Sequence, residues 1–182
     1  MASIDFGATM WGRSWLRVVE PISGTPSPQL PRARRMARDL DVSVGEAPGT
    51  ISAEVVERGL TLPVEITVPT WTKGAGETAG ELLRVHGGGA VGGELSRELF
   101  DDLVKRDVSV SVPLDQLEFR CHCRSRATHC VHVLACIYAA VLAIDERPMI
   151  AYELRSSQTM DTGRLDADWV RLEALSSVGF YG

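Results

Sequence analysis

The sequence predicts an α+β fold: an antiparallel β-meander packed with helices, plus a small ββα knuckle. Three observations carry this expectation. Residues 40–68 contain three strand-like runs separated by turn residues. Several stretches place apolar side chains at helical spacing, and a strand-like run at 117–120 leads through a cysteine cluster into an apolar helical segment.

Trp11, Trp15, Val18 and Val19 recur at helical spacing, which predicts an amphipathic helix over 9–20. Its tryptophans are assigned to the core in preference to a partner surface. Pro21, Pro26, Pro28 and Pro31, interspersed with Ser, Gly and Thr, mark a loop. Residues 32–38 read as a short basic helix or arm. Strands are expected at 40–45, 50–57 and 60–68, with Ala47-Pro48-Gly49 and Arg58-Gly59 turning the meander. Helices follow near 77–85 and 95–105, joined by the glycine-rich loop 87–93. Leu95, Leu99, Leu103 and Val104 are expected on one face of the second. Residues 108–112 alternate as a strand, 149–154 suggest another, and 167–176 a last helix. The expected organisation is a body over 1–115 that includes the tryptophan helix, a finger over 116–145, and a strand/helix tail over 146–182 that packs on the body.

Composition suits an ordinary folded protein, with 182 residues, 45% hydrophobic and 24% charged. The longest apolar run, 131–144, is too short to span a bilayer. Met1-Ala-Ser-Ile-Asp-Phe-Gly7 lacks a basic region followed by an apolar one, so no secretory signal is expected and the protein is placed in the cytoplasm, where thiols stay reduced.

Residues 121–132 hold three of the four cysteines of the chain, in the pattern Cys-x-Cys-x6-Cys-x-His at Cys121, Cys123, Cys130 and His132. Zinc favours four tetrahedral sulfur and nitrogen ligands, and Cys3His is one of its structural sets. On a strand, Cys121 and Cys123 present their sulfurs to one side. On a helix, residues two apart diverge by about 200°, so Cys130 belongs at the cap and His132 in the first turn, with Thr128 as a candidate N-cap residue. A cap position also favours a thiolate. His122 and His129 lie close enough in sequence to be considered in place of His132. A disulfide framework and free thiols are the other readings of the cysteines. Cys136 is read as a small buried residue of the helix.

This pattern resembles the SWIM zinc finger, in which Cys-x-Cys and a variable loop precede a Cys-x-His that opens a helix. His132-Val-Leu-Ala-Cys-Ile-Tyr138 is similar to the start of that helix, and Phe6-Gly-Ala-Thr-Met-Trp-Gly-Arg-Ser-Trp15 looks like the opening of bacterial SWIM zinc-finger proteins. Arg34-Arg-Met-Ala-Arg38 and the β-rich stretch after it are similar more loosely, so that the resemblance spans much of residues 1–155. Arg124-Ser125 departs from it, because many relatives place Pro-Asp there; the ligand positions are untouched. The resemblance implies a SWIM-type knuckle, bacterial origin, and a nucleic-acid- or protein-binding role, as an accessory to a helicase-like ATPase.

Charge bears on the partner. A net charge of −5 is unlike a protein whose task is to coat duplex DNA. The basic residues are nevertheless clustered: Arg32, Arg34, Arg35 and Arg38 lie in one arm, with Arg124 and Arg126 in the loop between the cysteine pairs. These six are the candidate contacts to nucleic acid (DNA or RNA) or to a protein partner. The alternative is a purely protein-binding adaptor, or a subunit of a larger nucleoprotein assembly, in which Zn2+ is only structural. Four ligands leave no open metal position for catalysis. The chain carries no Walker loop, no Gly-x-Ser-x-Gly elbow and no zinc-deaminase signature. A non-enzymatic protein is expected, with no membrane partner and no small-molecule substrate.

Overall fold

Thr9 begins the first helix as a hydroxyl ahead of an apolar-periodic run does. In the computed structural model, which describes residues 5–23, 27–40, 42–44, 47–86, 94–125 and 127–157, Thr9 Oγ1 accepts from Gly12 N at 2.9 Å and α1 runs Met10–Val19. Trp11, Trp15, Val18 and Val19 are all buried, so the tryptophans are core residues. The start of α1 is tied to a distant carboxylate. Asp145 accepts from Gly7 N at 2.7 Å, from Thr9 N at 2.8 Å and from Thr9 Oγ1 at 2.9 Å. A Cβ on Gly12 would lie 2.1 Å from Asp145 Oδ1, and Gly7 has φ +75°. The Gly-x-Thr-x-x-Gly spacing of residues 7–12 therefore has a mechanical reason: two glycines and a hydroxyl make room for, and bind, one side chain.

Helix α2 (Leu30–Ala37) starts with proline in its first turn, where the missing N–H has no intrahelical partner to lose. It buries Leu30, Ala33 and Ala37 and turns Arg32, Arg34 and Arg35 outward. The meander follows as β1 (Val42–Val44), β2 (Thr50–Glu57) and β3 (Leu60–Thr67), and β4 (Glu118–Cys121) adds beyond β3. Among the described residues the sheet has four strands in the order β1-β2-β3-β4, every neighbouring pair antiparallel. Arg58 and Gly59 make the two-residue turn between β2 and β3 with φ of 52° and 76°. Positive φ at both central positions is the type I′ hairpin geometry that matches strand twist. Ile51, Ala53, Val55, Val64 and Ile66 face the core from alternate positions, while Glu54, Glu65 and Arg120 face outward.

Two helices bridge β3 and β4. They are α3 (Lys73–His86) and α4 (Arg97–Lys105), which pack on each other. Ser96 caps α4 by accepting from Leu99 N at 3.1 Å. Leu99 and Leu103 are buried, but Val104 is 60% exposed and does not share their face. A 3-10 turn over Leu114–Gln116 then delivers the chain to β4.

The long helix α5 (Val131–Glu146) is buried on nearly every side and touches α1, α2, α6 and all four strands. An all-round apolar helix needs such surroundings. Tyr138 of α5 joins three helices: its ring meets Phe6 edge-on at 5.1 Å, and Arg34 lies 5.6 Å above it. Arg34 Nε also donates to Glu20 at 3.0 Å and to the Tyr138 hydroxyl at 3.2 Å, while that hydroxyl donates to Glu20.

Two expected strands are not strands. Val108, Val110 and Val112 are buried in alternation, yet the segment joins no ladder. Its polar backbone is engaged otherwise: Ser109 O accepts from Trp71 Nε1 at 2.7 Å and from Arg155 Nε at 3.4 Å, and Ser109 Oγ donates to Ser111 O at 2.7 Å. Residues 149–154 form α6 (Met149–Glu153), with Leu154 N donating to Ile150 O at 2.9 Å. Pro148 stands just before it in helical conformation, and a short apolar run fits either element. The helix expected at 167–176 and the glycine-rich loop 87–93 lie outside the described residues. Among the described residues, no helix is long and apolar enough to cross a membrane.

Candidate metal centre

Strand register sets the first ligand, Cys121, which is the last residue of β4; Cys123 lies just beyond the strand. Cys121 stands opposite Val64, a residue of the buried face, and Arg120 stands opposite Glu65 on the outer face. Cys121 therefore points toward the helices, and Cys123 follows two residues on. The second pair comes from the start of α5. Cys130 is the N-cap residue, with φ −76° and ψ 162°, and His132 sits in the first turn. Thr128, expected as a cap, lies outside the helix, because the extended conformation that begins the helix falls at Cys130 itself.

The four donor atoms of Cys121, Cys123, Cys130 and His132 all lie within 4.8 Å of one another. Cys130 and His132 are buried, and Cys121 and Cys123 are half-buried. All four cysteines of the chain are free thiols. Cys121 Sγ and His132 Nδ1 are 3.7 Å apart. A tetrahedral zinc with ordinary sulfur and nitrogen bond lengths separates those two atoms by about 3.6 Å. The donor set and its spacing fit a metal ion of the zinc class.

Backbone donors support the sulfurs. The neighbouring backbone N–H groups of Cys123, Ser125 and Val133 favour the charged forms of Cys121, Cys123 and Cys130 respectively. Burial pushes the Cys121 thiol up to about 12 against the pull of its backbone donor. Burial likewise raises Cys130. Burial also opposes ionisation of Cys123, but the Ser125 N–H and the His132 ring outweigh it and bring that thiol down to about 7.

The other face of His132 holds a residue that spacing in the sequence does not mark. Glu57 Oε2 lies 2.7 Å from His132 Nε2, and Glu57 Oε1 accepts from Arg32. The hydrogen bond to His132, and next the Arg32 charge, hold the Glu57 carboxyl below the usual carboxylate range. Glu57 is 75 positions from His132 and ends β2 just before the Arg58-Gly59 turn. Only the pairing of β2, β3 and β4 brings it to the cluster.

The remaining candidates separate clearly. His129 packs edge-on against Phe119 at 5.1 Å, and His122 faces an open groove of about 810 Å³ on the outer side of the sheet with Glu54, Glu65 and Arg120. Cys136 is fully buried in α5, outside the cluster, and burial pushes its thiol up to about 12. Arg32 reaches the centre through Glu57, whereas Arg34 is turned to Glu20 and Tyr138. Arg35, Arg38 and Arg124 are exposed, and Arg126 lies outside the described residues.

Comparison with known proteins adds no relative: no family model, no curated protein and no solved structure matches the chain.

Proposed function

We propose that the chain is a non-enzymatic zinc-binding protein with a SWIM-type finger, whose centre shapes a surface for nucleic acid or protein. The observation that carries this reading is the meeting of Cys121, Cys123, Cys130 and His132 at the junction of β4 and α5, within 4.8 Å. Zinc held there is structural. All four ligand positions are supplied by the protein, and both ring nitrogens of His132 are engaged, one toward Cys121 and one toward Glu57. The thiols call for a reducing compartment such as the cytoplasm.

Zinc joins β4 to the first turn of α5, and Arg32 connects α2 to the same point. Exposed Arg35, Arg38 and Arg124 are the candidate contacts to phosphate, in DNA or RNA presented by an assembly such as a helicase-like ATPase. A second reading has its own support. The net charge is −5, and Arg32 and Arg34 are already paired with Glu57 and Glu20, which suits an adaptor that binds a protein. Salt separates the two. Phosphate contacts give an affinity for nucleic acid that falls steeply with salt, and Arg124→Ala and Arg35→Ala reduce that slope. No measurable nucleic-acid affinity at low salt rejects the first reading and leaves the adaptor.

A further inference from the structure

We propose that Glu57 is the positioning residue of the metal centre. It fixes His132 with Nδ1 as the metal ligand and, through Arg32, fastens α2 to that centre. This inference rests on the metal-centre reading above.

The geometry is specific. Each Glu57 oxygen has its own partner, Oε2 with His132 Nε2 at 2.7 Å and Oε1 with Arg32 Nη2. An ionised carboxylate only accepts, so Nε2 must carry the proton of the neutral ring. The lone pair is then left on Nδ1, the atom that faces the Cys121 sulfur at 3.7 Å. Ligating histidines ordinarily donate their second N–H to such a partner, which fixes the tautomer and the ring orientation. The His132 side chain is 5% exposed, so water has little access to replace Glu57 there.

Two further features hold Glu57 in place. It is the last residue of β2, opposite Leu60 across the two-residue Arg58-Gly59 turn, so its backbone is anchored by sheet pairing. Arg32, on the first turns of α2, takes the other oxygen. Charge accounts for the contact with Arg32. Three thiolates and one carboxylate around a divalent ion leave negative charge in excess, and the guanidinium of Arg32 offsets part of it. His132, Glu57, Arg32 and α2 thus form one continuous chain of contacts, which would end at the metal once it is bound.

The test uses the full-length protein loaded with one zinc per chain. A long-range proton–nitrogen correlation spectrum of the wild type reads the His132 tautomer, and transfer of zinc to a chromogenic chelator reads its release. The expected result is a metal-bound Nδ1 with a protonated Nε2. Zinc release should be about tenfold or more faster in Glu57→Ala, in keeping with the effect of removing an outer partner of a ligand. Glu57→Gln keeps an oxygen for the Nε2 proton and should recover part of the loss. Arg32→Ala leaves Glu57 in place and should fall between the wild type and Glu57→Ala. A His132 bound through Nε2, or a Glu57→Ala protein that releases zinc at the wild-type rate, overturns the proposal while the metal centre stands. A wild type that takes up no zinc rejects the metal centre itself, and this is seen before any variant is made.

Discussion

Asp145 Oδ1, in the last turn of α5, accepts a hydrogen bond from the Thr9 backbone at 2.8 Å and so closes the N-terminus of α1 from 136 residues away. The same oxygen would lie 2.1 Å from a Cβ at position 12. Gly12→Ala should therefore destabilise the protein by about 2–3 kcal/mol, since the methyl group displaces a carboxylate bound by three donors. In an Asp145→Ala background, which is itself less stable, the added cost of Gly12→Ala should be close to zero. Urea unfolding of the two single variants and the double variant measures this, and additive losses would show that the contact is not the cause.

Cys130 and Cys136 lie six residues apart, but only Cys130 belongs to the metal cluster. Cys130→Ser should abolish stoichiometric zinc and lower stability by several kcal/mol, because metal-binding energy is available only to the folded chain. Cys136→Ser should keep zinc and lose about 1–3 kcal/mol, the cost of placing a hydroxyl in an apolar site. Elemental analysis and thermal unfolding of both variants decide the matter, and the reverse outcome would invalidate the ligand assignment.

Metal affinity should depend steeply on pH. Cys121 is pushed up to about 12, Cys130 is also raised, and Cys123 is brought down to about 7. At neutral pH the metal-free protein thus carries protons on Cys121 and Cys130 and a partial proton on Cys123. Zinc binds thiolates, so binding must displace these protons, and affinity rises with pH and weakens as pH falls. Calorimetric titration with zinc in buffers of different ionisation enthalpy should show about two or more protons released per ion near pH 7. Release close to zero would mean that the thiols are not the ligands.

Glu20 provides a second pH signature, independent of metal. Burial opposes its charge, but Arg34 and the Tyr138 hydroxyl outweigh that and lower its pKa. A carboxyl with a depressed folded pKa contributes stability above its unfolded pKa of about 4.3 and loses that contribution as pH falls through the folded value. Both partners are partly exposed, with side-chain exposure of 46% for Arg34 and 23% for Glu20, so the contribution is limited to about 1 kcal/mol. Arg34→Ala should lose that amount at pH 7 and much less near pH 3. Equal losses at both pH values would assign Arg34 a packing role only.

What the sequence discloses is local. Cys121, Cys123, Cys130 and His132 fall within twelve residues, between the end of one strand and the first turn of one helix, so their meeting is a local matter. Arg58-Gly59 likewise announces a turn, because positive φ at both positions is a requirement of the backbone. Residues that act across the fold leave no such trace. Glu57 reaches His132 only through sheet order, and Asp145 reaches Thr9 only after α5 has threaded the core. Val108, Val110 and Val112 alternate like a strand, but alternation reports burial and not pairing, and here side chains take the carbonyl that a ladder would use. Residues 149–154 are too short for periodicity to distinguish strand from helix, and packing against α5 decides for helix.

Elemental analysis of the purified, reduced full-length protein, with and without denaturation in the presence of a chelator, tests the centre most directly. One zinc per folded chain is expected, released together with loss of structure, and none in Cys130→Ser. A folded, cooperative wild-type protein without stoichiometric metal, whose stability does not change when zinc is added, would contradict that expectation.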